Sequence, residues 1–194
     1  MEETIKNLAK AFIGESQARN RYTMYSKIAK NEGYEQLAEI FLLTAENERE
    51  HAKWLYRLID QLKKEAGEQI GDIIVESTVP MVLGNTIDNL KEAIAGENYE
   101  YTEMYPCFAG VAEKEGFKDI ADRLRAIAVA ERHHEERFKL ILEEIEKGTV
   151  FEKEEEVVWV CRKCGYVHKG KTPPEKCPSC SHPKNYFEVK AEIY

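Results

Sequence analysis

Between residues 4 and 147 apolar side chains recur every three or four positions, the period of a helix that buries one face. In the second such stretch Leu37, Ile40, Phe41, Leu55, Leu58, Ile59 and Leu62 share a face, and in the fourth Ile120, Leu124, Ile127, Phe138, Ile141 and Ile145 do so. The pattern predicts four long helices, with Gly33 and Gly116 as tight turns between the first and second and between the third and fourth. Residues 66–80 carry Gly67, Gly71 and Pro80 and are long enough to run the length of a bundle. Beyond Gly148 the helical period stops. Residues 149–158 form a charged linker around Glu152, Glu154, Glu155 and Glu156. The remainder, 159–194, is aromatic and strand-like, with Pro173, Pro174 and Pro178 excluding regular helix.

Two helical hairpins joined by one long crossover give a mainly α, ferritin-like four-helix bundle, expected over 1–148. A small C-terminal β/loop module follows it at 159–194. The two halves of the bundle also echo each other. Gly14, Glu15, Tyr22, Glu32 and Gly33 correspond to Gly96, Glu97, Tyr105, Glu115 and Gly116, and Glu48-x-x-His51 corresponds to Glu131-x-x-His134. The offset between matched positions is 82 or 83 residues throughout. That constancy implies an internal duplication and a pseudo-twofold axis.

Repetition of this kind gives weight to the polar residues inside the apolar stripes. Glu48 with His51, and Glu131 with His134, interrupt the second and fourth stripes; Glu15 lies beside Leu8, Phe12 and Tyr22, and Glu97 beside Ile94, Tyr101 and Met104. Four buried carboxylates repel one another and lose their hydration, unless cations fill the space between them. One Glu from each of two helices and Glu-x-x-His from the other two is the ligand set of carboxylate-bridged two-metal bundles. Oxygen-rich coordination with imidazole suits iron or manganese. The competing reading, solvated Glu-x-x-His faces with Arg19 pairing a buried Glu, explains each residue singly but not the matched spacing. Glu100, one turn from Glu97, is either a seventh candidate donor or a solvated residue at the stripe's edge, and its counterpart in the first half is Ala18.

Charge and cysteine usage extend this picture. The net charge is −8, with 20 basic and 29 acidic residues in 1–150 but 8 and 7 in 151–194. An acidic chain without a basic face excludes nucleic acid as a partner. No apolar run is long enough to span a membrane or act as a secretory core, so a cytoplasmic protein is expected. Four of the five cysteines form Cys161-x-x-Cys164 and Cys177-x-x-Cys180, a tetrahedral thiolate site for iron or zinc. Gly165 lets backbone N–H groups approach the first sulfur pair, and Ser181 stands at the equivalent place in the second. Trp159, Tyr166, Tyr186 and Phe187 are candidates for the module's small core. Cys107 is expected to be a small buried apolar side chain, and His133, His168 and His182 to lie outside the ligand sets. Tyr22 and Tyr105 are candidates to hydrogen-bond the site carboxylates.

Taken together, Glu15-Ser-Gln-Ala-Arg-Asn-Arg-Tyr22, Glu48-x-x-His51, Glu97-x-x-Glu100-Tyr-Thr-Glu-Met-Tyr-Pro106, Glu131-x-x-His134 and the terminal cysteine pairs resemble the rubrerythrins over essentially the whole chain. The resemblance implies a non-haem, oxo- and carboxylate-bridged di-iron site in the bundle and one iron on the four cysteines of a rubredoxin-like domain. It implies that Glu48 and Glu131 bridge the irons, that Glu97 and His134 serve one, and that Glu15 serves the other, which exchanges Glu100 for His51 on reduction. The implied activity is reduction of hydrogen peroxide to water, as an oxidative-stress defence, with Glu100, His51, Tyr22 and Tyr105 as candidate catalytic groups. Implied partners are a rubredoxin and its NAD(P)H-dependent reductase, and a second copy of the chain in a head-to-tail homodimer. Two other classes are weighed against this one: a ferroxidase or iron-handling bundle, and a non-catalytic adaptor whose C-terminal module is a zinc ribbon.

Overall fold

The computed structural model describes residues 1–67 and 71–191. Residues 68–70 of the predicted crossover and 192–194 of the predicted module lie outside the described residues. The chain runs α1 (Glu2–Asn31), α2 (Glu35–Ala66), α3 (Thr86–Tyr99), a π-helical segment (Glu100–Met104), α4 (Tyr105–Lys114), α5 (Lys118–Glu146), then β1 (Val157–Cys161), β2 (Val167–Gly170), a single 3₁₀ turn (Lys184–Tyr186) and β3 (Phe187–Val189). Among the described residues no helix is long and apolar enough to cross a membrane.

Both predicted hairpin turns form. Gly33 and Gly116 take φ of +90° and +89°, a left-handed conformation that glycine adopts without steric cost. Each turn closes the helix before it through two backbone bonds. Tyr34 N–H donates to Ala29 O (2.8 Å) and Gly33 N–H to Lys30 O (3.1 Å); Phe117 N–H donates to Ala112 O (2.8 Å) and Gly116 N–H to Glu113 O (3.1 Å). The crossover is longer than the sequence indicates, because α3 starts only at Thr86. Polar groups fix that start: Asn85 accepts from Asp88 N–H (2.9 Å), and Glu32 of the first turn accepts from Thr86 N–H (3.0 Å). The Tyr25 hydroxyl ties the crossover to α1 by donating to Val82 O (2.8 Å).

Two apolar clusters fill the bundle. One joins Ile5 and Leu8 to Leu55, Leu62, Ile120 and Leu124; the other joins Tyr22, Tyr25 and Leu37 to Phe41, Leu90 and Phe138. In the second, the Tyr22 and Phe138 rings meet edge-on at 5.6 Å and Tyr25 and Phe41 at 5.7 Å. The polar interruptions of the stripes fall between these clusters, which hold all four helices in fixed register around them.

The third predicted helix is not regular. The internal offset is 82 residues at Glu97 and 83 at Tyr105, so the second half has one extra residue between them. The five-residue π segment occupies that interval, and Tyr105 N–H donates to Glu100 O across it. An inserted residue in a helix is absorbed in this way without disturbing the faces on either side. A correction follows one turn later. Cys107 is exposed rather than buried, because Tyr105, Ala109 and Ala112 form the inward face of α4 and Cys107 falls between them.

The C-terminal module is an antiparallel sheet of order β2-β1-β3, in which Trp159 lies opposite His168 and Val189. Trp159 and Phe187 are its buried aromatics, with Tyr166 and Tyr186 packed against them. The module leans on the turn end of the bundle: Arg162 bridges Glu39 of α2 and Glu188, and Lys153 pairs with Glu144 of α5.

Candidate metal centres

Inside the bundle, Glu15, Glu48, Glu97 and Glu131 are buried completely or nearly so, as is His134. Their donor atoms form two overlapping groups, Glu15–Glu48–His51–Glu131 and Glu48–Glu97–Glu131–His134, each within 4.8 Å. Glu48 and Glu131 belong to both. Glu48 sets one oxygen 3.0 Å from His51 Nδ1 and the other 3.1 Å from His134 Nδ1. Glu131 does the same at 2.8 and 2.9 Å. Glu15 reaches only His51 (3.6 Å) and Glu97 only His134 (3.4 Å). This is the two-sided arrangement that the duplicated sequence predicts.

The tyrosines complete the symmetry by crossing it. Tyr22 of α1 donates its hydroxyl to Glu97 of α3, and Tyr105 at the head of α4 donates to Glu15 of α1. Each half thus orients the terminal carboxylate of the other. Glu100, the first residue of the π segment, is buried but belongs to neither donor group. Its carboxylate lies beside Gly14, where an added Cβ would stand 3.9 Å from Oε1. His51 is inside the site and Glu100 at its edge.

Cations fit this donor set. Glu15 Oε2, Glu48 Oε1, Glu97 Oε2, both Glu131 oxygens and His134 Nδ1 are buried and crowd one another without the alignment of a hydrogen bond. Unpaired buried polar atoms are costly, and here their lone pairs converge. Without metal, protons stand in. Burial, then repulsion by Glu48, raises Glu15 to about 7 and Glu97 well above the carboxylate range. Burial and the charge of Glu15 act likewise on Glu100. Burial disfavours the His134 cation, yet Glu131, Glu48 and Glu97 around it hold its proton up to about 12; His51 is raised by Glu131, Glu15 and Glu48 against the same burial. The tyrosine hydroxyls are pushed up by burial and by the carboxylates that they bond.

The second centre is built by two turns of like shape. Gly165 N–H donates to Cys161 O and Ser181 N–H to Cys177 O, each at 2.8 Å. Gly165 and Ser181 both have positive φ, +75° and +60°. The sulfurs close a compact group, with Cys161–Cys180 at 3.7 Å and Cys164–Cys177 at 3.6 Å. A tetrahedral ion with metal–sulfur bonds of about 2.3 Å requires sulfur separations of about 3.8 Å. The backbone N–H of Tyr166 holds the Cys164 thiol down to about 6, whereas Cys180, despite the His182 N–H, is pushed up to about 12 by burial and by the neighbouring sulfurs, a crowding that a bound cation would relieve.

Arg19, the alternative partner for a buried Glu, leaves its own Nε buried without a partner. His133 is exposed, and His182 Nδ1 lies 3.2 Å from the backbone oxygen of Cys180 rather than at a ligand position. Residues that sequence reasoning missed are Arg137, which donates to Thr44 Oγ1 (2.6 Å), and Glu135, which is buried and accepts from Asn98 (2.9 Å) and pairs with Lys139 (2.6 Å). Their signal was position: each lies within one turn of His134 on α5. The apolar groove of about 450 Å³ between α1 and the crossover contains none of the ligand candidates.

Comparison with known proteins agrees with both centres. Residues 6–142 match the family described as Rubrerythrin, and 159–188 the one described as Rubrerythrin, rubredoxin-like domain. A putative rubrerythrin of Methanocaldococcus jannaschii is 70% identical, covering 100% of this chain and 96% of that protein. Rubrerythrin-1 of Clostridium acetobutylicum is 51% identical over 99% and 96% respectively. Among solved structures, nigerythrin in a partially reduced state superposes with a TM-score of 0.62 at 31% identity, covering 96% of this chain and 86% of that one.

Proposed function

Because the chain belongs to the rubrerythrin family, with a di-iron-type Glu/His site and a four-cysteine rubredoxin-like site, we propose that it is a non-haem di-iron peroxidase. It reduces hydrogen peroxide to water with electrons passed from the four-cysteine iron. The observation that carries this reading is the pair Glu48 and Glu131, each dividing its two oxygens between the two histidines. We assign residues 1–148 to the di-iron bundle, 149–158 to a linker and 159–194 to the iron-binding module.

A pair of irons held in this site would supply the two electrons that cleavage of an O–O bond consumes. The residues supply position and protons. Glu48 and Glu131 would serve both metals, Glu97 and His134 would hold one of them, and Glu15 with His51 or Glu100 the other. Tyr22 and Tyr105 fix Glu97 and Glu15, leaving the position shared by His51 and Glu100 as the adjustable one. A carboxylate would suit a ferric ion at that position and an imidazole a ferrous one, which makes Glu100 and His51 its two candidate donors. Glu100, Tyr22 and Tyr105 are the buried groups able to deliver protons as peroxide oxygen becomes water.

Electrons reach the module from a rubredoxin and its NAD(P)H-dependent reductase. A thiolate-bound iron passes one electron at a time and has no use in storage, which disfavours the ferroxidase reading. In the test, anaerobically reduced protein is mixed rapidly with peroxide or with dioxygen. Faster oxidation by peroxide is expected; a clear preference for dioxygen would replace the peroxidase reading with an oxidase. His51→Leu should retain ferric loading but slow turnover, whereas equal metal loss in both oxidation states would make His51 an ordinary ligand.

A further inference from the structure

Arg137 is a half-buried guanidinium on α5, one turn beyond His134. No carboxylate lies within ion-pair distance of it among the described residues; its hydrogen bond goes to the hydroxyl of Thr44 at 2.6 Å, and its Nε is buried without a partner. Thr44 is fully buried on α2, one turn before Glu48, and hands its own proton to Ile40 O (2.9 Å). Desolvating a cation without a counter-ion is costly. Its compensation here is longer-range: burial disfavours the charge of Arg137, while Glu97 and Glu48 favour it.

Arg137 has no cationic counterpart in the internal repeat. With the internal offset of 83 residues, Arg137 corresponds to Trp54 in the first half. Trp54 is uncharged, and the guanidinium groups over its ring, those of Arg57 and Arg123, belong to exposed side chains that solvent screens. Arg21, the half-buried cation beside Gly96, faces Glu92 at 3.4 Å. The Glu97/His134 side thus has a fixed positive charge next to it with no counter-ion in contact, and the repeat-related place beside His51 has none; Arg19, one turn beyond Glu15 on α1, is a separate half-buried guanidinium with no repeat relation to Arg137.

We propose that Arg137 is a positioning residue that raises the reduction potential of the paired-metal site, so that electrons run from the four-cysteine iron into the bundle and not back. The inference rests on the di-iron reading above. A nearby positive charge penalises the ferric form more than the ferrous one. Thr44 holds the guanidinium in place without neutralising it, as a carboxylate would.

The test is an anaerobic redox titration of the iron-loaded chain, following both centres by visible absorption and the half-reduced pair by electron paramagnetic resonance. Arg137→Met removes the charge at similar length and Arg137→Lys keeps it. In the methionine variant the first reduction of the paired site should become at least tenfold less favourable, about 59 mV for one electron. The lysine variant should retain most of the potential, and the four-cysteine centre should not move. Unchanged potentials in the methionine variant, or equal shifts in both variants, overturn the proposal. Should the methionine variant lose iron, Thr44→Val, which loosens the guanidinium and keeps its charge, must lower the potential in the same direction by a smaller amount. An unshifted Thr44→Val then overturns it. An unmutated chain that binds no iron pair refutes the di-iron reading itself, and this proposal with it.

Discussion

Each candidate ligand in the bundle is a group that the surrounding core would reject if it stood alone. Glu15, Glu48, Glu97 and Glu131 lie in seams of Leu, Phe and Tyr, and their mutual repulsion is relieved by metal or by protons. The pH dependence of the metal-stripped protein follows. Glu15 has its pKa raised from 4.5 to about 7, so its contribution to stability is present below the unfolded value and is lost as pH rises through about 7. His134, raised from 6.5 to about 12, contributes below 6.5 and loses that contribution as pH climbs toward 12. Both act in one direction between roughly pH 5 and 8. Stripped protein should therefore melt at lower temperature at pH 8 than at pH 5.5. Iron-loaded protein, whose ligands must be deprotonated, should not lose stability over that interval. Thermal denaturation of the two forms decides it, and a stripped protein that gains stability toward pH 8 would contradict the account. The ligands were legible in the sequence because a carboxylate on an apolar stripe conflicts with its neighbours, and the conflict repeats at fixed spacing. Arg137 and Thr44 were not, since an arginine or threonine at a stripe edge is also what a solvated face looks like. Ser181 is a smaller case of local strain: a non-glycine residue at φ +60°. Ser181→Gly should stabilise the module by roughly 1 kcal/mol, read as slower loss of metal to a chelator.

At the level of elements, the apolar period foretold the helices and Gly33 and Gly116 their turns, but the third helix contains a break that periodicity does not reveal. The step from 82 to 83 in the repeat offset is its trace in the sequence, and it acquires meaning only when the π segment is seen to occupy the same interval. The position matters because Glu100 opens that segment, while its counterpart Ala18 lies in unbroken helix. A π turn has poorer hydrogen-bond geometry than the α-helix around it, and such turns persist at functional sites. Deleting Thr102, an exposed residue within the segment, restores the spacing of the first half and should convert the segment to α-helix. Tyr105 then keeps the seven-residue separation from Glu97 that Tyr22 has from Glu15. The expected result is a gain of roughly 1 kcal/mol, a rise of about 2–4 °C in Tm for a chain of this size, with both irons retained and peroxide turnover slowed. Such a trade of activity for stability is common where a strained element serves function. A deletion variant that turns over at the parental rate would show that the π segment is incidental to Glu100.

The whole molecule poses a question of distance. The four-cysteine module rests on the turn end of the bundle, where Arg162, next to Cys161, pairs with Glu39. The paired-metal site begins at Glu48, nine residues further along α2, roughly 14 Å of helix at about 1.5 Å per residue. The sequence made both centres legible separately, but their separation depends on where a charged linker lays the module, and 149–158 carries no periodic pattern that would fix it. Within one chain the thiolate iron is therefore remote from the site that it is proposed to feed. A head-to-tail pair of chains, the arrangement proposed for this chain, would remove the gap by bringing one chain's module against the other's bundle. Co-expression of two inactive variants tests this arrangement. Cys161→Ser with Cys164→Ser abolishes the feed but leaves the bundle intact, and Glu131→Gln disables the bundle but leaves the module. If electrons pass between chains, mixed dimers regain one working pair, and co-expressed protein should show up to about a quarter of the parental rate per chain, since about half of randomly paired dimers are mixed and each restores one site of two. Rubredoxin-driven peroxide reduction by the co-expressed chains, purified together through a tag that both carry, measures it. Mixed dimers that stay as inactive as their parents would place electron transfer inside the single chain, through the bundle's own length.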